Sequence, residues 1–529
     1  SLPYKHALIL ISGNAQETIN LINSANKISN HGKKSLLGPR FLLEEISDLK
    51  LNNHDHIFYN GIGLLKWSSD PKWWKDVFNK NFDSIFFYIN QKSLSGIQNI
   101  LEILHFSKTK AEIHFIDQEK KLYQLSHTDC ENALNSISKI DRLTEQSIQN
   151  YSQFDEKHKP RLLFDGRVLS NNSHTGIQRY ANELLKALPS KISEVEIQVI
   201  GCEHSQIPEG ISNIPISLPL SDHTRAKKII GLTSALEQSD LIFSPYYPVP
   251  EKRNGKAVLT IHDLIPLVHP EWFANPATIR FFEQDLKESA RCADKIIADS
   301  FCTKKDIIKF YEIDEEKIEV IHLAPSSIFK QKTHTNYLGS SNCQNIPEDR
   351  LYFLSVATLE PRKNLVRTIK AFELFRDREE TIKPSLILVG QTGWKNEELL
   401  ETFNNSKYKD SIIFTGYLKD EHLIAVYQQA LAFIYPSLYE GFGLPVLEAM
   451  ACGIPVITSN NSSLAEIAND SALCCDPYSI DEIAQSMQKI SESQALRNEL
   501  AAAGIKKANE FSWEKTAKET AKVLLSCLN

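Results

Sequence analysis

Between residues 351 and 459 five short apolar runs, "LYFLSVATLE", "SLILVG", "SIIFTG", "AFIYPS" and "PVITS", return at intervals with helix-like chain between them. No other feature limits the fold as strongly. Runs that are apolar at consecutive positions are buried on both faces, and strands of that kind belong to parallel sheets whose crossover helices cover each side. The same rhythm opens at "RLLFDGRVLS" (161–170) and closes near "KIEVIHLAPSSIF" (317–329). It occurs a third time near the start, where "HALILIS", "HIFYNGI", "SIFFYI" and "EIHFID" read as strands. Between these, "ETINLINSANKI", "FLLEEISDL", "WWKDVF" and "IQNILEILHF" read as helices. A chain of 529 residues has room for three such blocks, each with its own core. The expected divisions are an N-terminal α/β domain over 1–120, a helical or polar linker over 121–160, a second α/β block over 161–329, a Ser/Asn-rich linker over 330–350, a third block over 351–510 and a terminal helix over 511–529.

Within the third block, "YEGFGLPVLEAMACGIPVIT" (439–458) sets two glutamates around a pair of glycines and a proline. The run before it is a strand that Pro436 ends. Gly441 and Gly443 give the loop conformations that bulkier residues resist, and Pro445 suits the first position of a helix because its missing N–H would have no partner there. Gly453 then falls just past the helix C-terminus. The amides of Phe442 to Val446, Gly443 and Leu444 among them, would point out of a helix N-terminus, a natural phosphate seat. Glu440 on the loop and Glu448 one turn into the helix can each accept from hydroxyls, Glu448 from a diol such as a ribose. That combination describes a nucleotide-sugar site. The segment alone is equally compatible with an ordinary α/β crossover whose glutamates are solvated.

A second constellation decides between them. "VATLEPRKNLVRTIKAF" (356–372) places Arg362 and Lys363 where the block's first strand gives way to a helix. Ligands of open parallel sheets gather at the C-terminal ends of strands, and the glutamate loop lies at the equivalent end of a later strand. Two cations facing a helix N-terminus would hold a diphosphate, each charge-assisted hydrogen bond contributing about 1.5–3 kcal/mol.

Composition narrows the function classes. The net charge is −7 with no basic stripe interleaved with aromatics, which argues against nucleic acid. Nine cysteines without metal-ligand spacing read as a reducing compartment, and no apolar run approaches the length of a membrane span. A cytoplasmic location is expected. "RAKKIIGL" (225–232) reads either as a solvated basic patch or as a peripheral contact with anionic lipid at the inner membrane face.

"LEPRKN", "SLYEGFGLPVLEAMACGIPVITS" and "FSWEKTA", in that order, resemble the retaining glycosyltransferases of family four, which have the GT-B fold. "SHTGIQRYANELLKAL" (173–188) and "TIHDLIPLVHPEWF" (260–273) resemble that family's acceptor-side half, so the likeness runs across residues 161–529. The nearest subgroup is the mannosyltransferases of bacterial surface polysaccharides. The resemblance implies an α/β chain of GT-B architecture, two Rossmann-like domains facing a cleft, preceded by an extra small α/β domain. It also implies that the helix over 511–529 packs back toward the acceptor-side half.

Roles follow from the resemblance position by position. Arg362 and Lys363 would bind the donor diphosphate, Glu440 the sugar hydroxyls and Glu448 the nucleotide ribose. The amides near Phe442, Gly443 and Leu444 would meet the sugar or the distal phosphate. His262 would stand across the cleft near the anomeric carbon, and the loop at Gly176 would close over the phosphate. Ala357 and Thr358 stand where many relatives carry Gly-Arg, which leaves the charge there to Arg362. Arg179 is a further candidate ligand, while His262 and Asp263 also fit purely structural roles.

No Asp-x-Asp occurs in the chain, so transfer is expected to use protein charge in place of a metal ion and to need no cofactor. The favoured donor is GDP-mannose and the acceptor a glycan or lipid-linked glycan. UDP-linked hexoses are the next donors, and a sugar-nucleotide epimerase or a non-catalytic binding protein are the rival functions. The first 155 residues carry no legible chemistry; they read equally as a decayed nucleotide-binding half, an oligomerisation unit or a module that docks acceptor or partner proteins.

Overall fold

The computed structural model describes residues 159–528, apart from 171–175, 204–205, 210, 215, 217, 219–222, 274, 331–345, 347–350 and 380, together with six strands inside residues 1–158. The helices expected among the first 120 residues, most of the 330–350 linker and the loop before Gly176 lie outside the described residues. The chain divides into two compact units, one of residues 1–158, 215–239 and 250–255, the other of 159–214, 240–249 and 256–529.

The first unit holds β1 (His6–Leu10), β2 (Lys33–Pro39), β3 (His54–Tyr59), β4 (Ser84–Tyr88), β5 (Glu112–Ile116) and β6 (Leu122–Leu125), ordered β3-β2-β1-β4-β5-β6. All neighbours are parallel except β5 and β6. Two of these strands depart from the sequence reading. "KKSLLGP" begins with two lysines and ends in Gly-Pro, so β2 shows no long apolar run. "LYQL" is an antiparallel edge within chain expected to be polar and helix-like, and β6 corrects that expectation.

The second unit contains two all-parallel sheets. One has β7 (Arg161–Asp165), β8 (Glu196–Ile200), β9 (Ser212–Ile214), β10 (Leu241–Ser244), β11 (Lys256–Ile261), β12 (Lys295–Ala298) and β13 (Ile318–Val320), ordered β13-β12-β11-β10-β7-β8-β9. The other has β14 (Tyr352–Val356), β15 (Ser385–Val389), β16 (Ile412–Gly416), β17 (Ala432–Tyr435), β18 (Val456–Ser459) and β19 (Leu473–Cys475), ordered β16-β15-β14-β17-β18-β19. The central strands are buried along almost their whole length, as their unbroken apolar sequences require. In the second of these sheets the winding reverses between β14 and β17. At such a switch point the connections leave in opposite directions and open a crevice at the strand ends. The chain leaving β14 carries Arg362 and Lys363; the chain leaving β17 carries Glu440.

Seven helices matter for the site: α1 (Gly176–Ala187), α2 (Phe301–Tyr311), α3 (Leu365–Arg378), α4 (Asp420–Gln428), α5 (Leu444–Ala451), α6 (Ser462–Ala468) and α7 (Trp513–Leu528). On α1, Tyr180, Ala181, Leu184 and Leu185 are buried, one apolar stripe at helical spacing. Ser300 caps α2, its Oγ accepting from Thr303 N at 3.0 Å. α7 returns to the seven-stranded sheet: Thr516 Oγ1 donates to His322 O at 2.7 Å, and Ala517, Ala521 and Leu524 are buried. One continuous cluster of buried side chains joins the two sheets, from Phe164 and Val258 through Leu354 and Phe433 to Leu524. At the end of β7, Asp165 and Arg167 form a wholly buried ion pair, Arg167 Nη2 donating to Asp165 Oδ2 at 2.5 Å. Among the described residues no helix is long and apolar enough to cross a membrane.

Candidate functional site

Arg362 and Lys363 belong to a 3₁₀ turn, Pro361–Lys363, that Asn364 ends in a left-handed conformation (φ 61°). The short Asn364 amide is held by partners distant in sequence: Nδ2 donates to Pro436 O at 2.9 Å and Pro477 O at 2.6 Å. The turn aims both cations at Glu440. Lys363 Nζ donates to Glu440 Oε1 at 2.6 Å and Arg362 Nη1 to Oε2 at 2.6 Å. Ser437 Oγ (2.6 Å) and Tyr435 OH (2.9 Å) also donate to Oε1. Arg362 Nε meanwhile forms an ion pair with Glu360 Oε1 at 2.7 Å. Burial alone would raise the Glu440 pKa, but the two cations outweigh it and hold the carboxyl down at about 2. Lys363 is pulled below its ordinary value by burial and by neighbouring Arg362, with Glu440 opposing. Glu440, expected to meet sugar hydroxyls, is thus engaged by protein donors, and the expected diphosphate ligands are its partners.

α5 begins at Leu444, one residue before the position expected from Pro445, and Gly443 precedes it with φ 120°. A side chain on Gly443 would also meet Leu464 Cδ2 at 2.7 Å. Gly441 is needed for a different reason: a Cβ there would lie 2.3 Å from His262 O, so the glutamate loop passes directly over the "HDL" turn of the other half. Ser300 Oγ fixes that approach by donating to Gly441 O at 2.6 Å. Gly176 lies at the same junction, its outward direction 3.3 Å from Leu444 Cδ1. The Phe442 ring is buried against His322 and Phe511, which leaves only its backbone for a ligand.

The His262 ring is held by two partners within its own half. Nδ1 bonds Asp299 Oδ2 at 2.5 Å and Nε2 bonds Pro245 O at 2.9 Å. A carbonyl can only accept, which fixes a hydrogen on Nε2. Burial would lower the imidazole pKa, yet Asp299 overcomes it and the shift is upward. Both ring nitrogens are therefore committed within the protein, and it is the His262 backbone that meets the loop.

Glu448, on α5, is reached from α1. Arg179 Nη1 donates to Glu448 Oε1, and Nη2 to Asp420 Oδ2 at 2.7 Å. Burial pushes the Glu448 carboxyl up to about 7, Arg179 opposing. Asp420, Tyr435, Ser437 and Glu360 were not read from the sequence. Ser437, on the same loop three residues before Glu440, was within reach of a pattern argument; Asp420 and Glu360 carry no local signal.

The geometry brings together Arg362, Lys363, Glu440, Gly443 and Leu444 in one crevice, with Gly176 and the His262 backbone on its far wall and Glu448 beside Arg179. Residues 174–324 match the family model described as Glycosyltransferase Family 4, and residues 340–507 match Glycosyl transferases group 1. The chain is 31% identical over 373 residues to O-antigen chain mannosyltransferase B of Escherichia coli, spanning 65% of this chain and 94% of that protein. It is 26% identical over 320 residues to O-antigen chain mannosyltransferase RfbU of Salmonella typhimurium, 58% of this chain and 84% of that one. Against the serotype-specific mannosyltransferase WbdA of Escherichia coli it is 32% identical over 268 residues, 50% of this chain and only 32% of that protein. Among solved structures, sucrose-phosphate synthase from Thermosynechococcus elongatus superposes with a TM-score of 0.56 at 19% identity, over 70% of this chain and 99% of that one. Anabaena HepE in complex with UDP-glucose gives 0.53 at 17% identity, over 69% and 99%. Likenesses at that identity establish the shared fold.

Proposed function

Because this chain belongs to the GT-B glycosyltransferases of family four and group 1, we propose that it moves mannose from GDP-mannose to a glycan hydroxyl in bacterial surface-polysaccharide synthesis, with retention and without a metal ion. The observation that carries this reading is the convergence of Arg362 and Lys363 on Glu440 at the switch point, next to the N-terminus of α5. The mannosyl donor rests on the names of the O-antigen relatives.

In this mechanism the donor diphosphate takes the two cations now bound to Glu440, and the freed carboxylate accepts from sugar hydroxyls. The bond from the anomeric carbon to phosphate oxygen breaks while the acceptor hydroxyl attacks on the same face. The hydroxyl proton passes to the departing phosphate oxygen, so no enzyme nucleophile is required. Arg362, Lys363 and the α5 amides neutralise the leaving group with charge already in position. Glu448 receives the ribose diol. His262, paired with Asp299, acts as a positioning residue that sets the backbone opposite Gly441.

Calorimetric titration of GDP-mannose in EDTA tests the reading, with Lys363→Ala and Glu448→Ala alongside. Binding to the unmodified chain that both variants lose supports it. Binding that appears only when metal is restored overturns the metal-free mechanism. A preference for UDP-glucose, the ligand named with HepE, would replace the donor. Free epimer formed from donor alone would replace transfer itself.

A further inference from the structure

A cavity of about 450 Å³ is lined in part by Glu360. That volume falls within the roughly 300–1,000 Å³ of small-ligand sites. Its wall is shared between the two halves: the start of α3 and the chain before helix Glu397–Asn405 from one, and Trp272 from the other. The halves are tied at this point. Trp394 Nε1 donates to Trp272 O at 2.9 Å and Lys395 Nζ donates to Glu271 O.

Two side chains of this wall are unexplained by the fold. Asn396 is 9% exposed, caps no helix N–H and has no side-chain hydrogen bond among the described residues. Its amide has no protein partner among the described residues and its polar atoms reach solvent, so they are open to a ligand. Trp272 is stacked on His269, ring centroids 3.9 Å apart at 16°, which covers one indole face, and it lines the cavity. The cations do not make this an anion site. Arg367 already donates to Asn364 Oδ1 at 3.1 Å and lies over the Tyr478 ring, and Lys395 is taken by Glu271 O, which leaves Lys370 as the wall's one cation with no partner among the described residues, offset by the carboxylates of the same wall. Glu360 and Glu398 on the same wall would repel a phosphate. An aromatic side chain, an amide without a protein partner and mixed charges around one hollow suit a polyhydroxylated ligand.

Position agrees with chemistry. Glu360 lines the cavity and forms an ion pair with Arg362 at 2.7 Å, and Arg362 bonds Glu440 at 2.6 Å, so the hollow is one side chain away from the proposed transfer centre. We propose that this cavity is a subsite for the acceptor glycan, where Trp272 and Asn396 hold a saccharide residue set back from the attacking hydroxyl. The subsite rests on the glycosyl-transfer reading above. Because both halves build it, it is complete only when they are closed on each other.

The test uses the full chain, saturated with GDP, and α-linked mannotriose as the probe, followed by saturation-transfer NMR and calorimetry. Mannotriose binding that weakens at least about tenfold in Trp272→Ala and in Asn396→Ala supports the subsite. The Kd for GDP should stay unchanged, and the loss in transfer to mannotriose should be carried by KM. Should Trp272→Ala fold poorly, Asn396→Asp, of equal size, carries the same expectation. No binding to the unmodified chain, binding indifferent to both variants, or displacement of the sugar by inorganic phosphate overturns the subsite. Loss of GDP binding in the unmodified chain would instead overturn the donor reading, so the two failures are distinguishable.

Discussion

Arg179 and Glu448, 269 residues apart in sequence, bond directly, the guanidinium on α1 closing on the carboxylate of α5. The same guanidinium reaches Asp420 on α4 at 2.7 Å. The carboxylate proposed to bind the ribose is therefore occupied by the opposite half of the molecule. Glu448 titrates near 7 instead of 4.5. The ionised form is the better acceptor for two hydroxyls, so GDP affinity is expected to fall as pH is lowered through about 7. Glu448→Gln should abolish that step, and Arg179→Ala, which removes the charge holding the value down, should move it to higher pH. Calorimetry across pH 5.5–8.5, roughly the span on either side of the midpoint, checks both. The sign for stability is opposite. A carboxyl raised in the folded state binds its proton more tightly there, so its contribution is full below 4.5 and is lost as pH rises toward 7.

Glu440 behaves the other way. Its folded value near 2 lies below the ordinary 4.5, so its contribution is present above 4.5 and is lost as pH falls toward 2. The shift corresponds to a contribution on the order of 3 kcal/mol. Urea midpoints measured down the acid limb should show this loss, and Glu440→Gln should flatten it.

Lys363→Ala leaves a buried carboxylate with one cation where it had two. The expected cost is about 3–5 kcal/mol in chemical unfolding, together with a fall in transfer of about 10²–10³-fold. Lys363→Arg, which keeps the charge but not the shape, should recover stability before it recovers rate.

Two glycines at the junction of the halves separate a tight contact from a loose one. A methyl on Gly441 would strike the His262 carbonyl, whereas one on Gly176 would meet the end of the Leu444 side chain. Gly441→Ala is expected to cut transfer by about 10²-fold or more, and Gly176→Ala by only a fewfold, since a misplaced loop costs rate steeply. Steady-state transfer assays on both variants decide it.

Asp165→Asn would strand the fully buried guanidinium of Arg167. Loss of about 3–5 kcal/mol is expected by urea unfolding, with donor affinity unchanged while the protein stays folded.

The sequence made the parallel blocks legible because strands such as "YFLSV" and "SLILV" are apolar at every buried position. It hid β2 and β6, where a lysine pair and an antiparallel edge interrupt that pattern. At the site, residue type and spacing brought Arg362, Lys363 and Glu440 to one place but did not reveal which way the side chains turn. Glu440 faces the cations because Ser437 and Tyr435 bond the same carboxylate oxygen that Lys363 does. The His262 ring is fixed in place because Asp299, 37 residues away, takes its Nδ1. Such partners are set by tertiary packing and leave no trace in the local pattern.

α7 closes a sheet whose first strand begins at Arg161, since Ala517, Ala521 and Leu524 lie in the core shared by both sheets. During synthesis that surface waits for its cover until residues 513–528 have emerged. At about 5–20 residues per second the wait is roughly 20–70 s, long enough for a half-built sheet to need a chaperone. Removing α7 should therefore harm the folding of the seven-stranded half more than the binding of nucleotide to the six-stranded half.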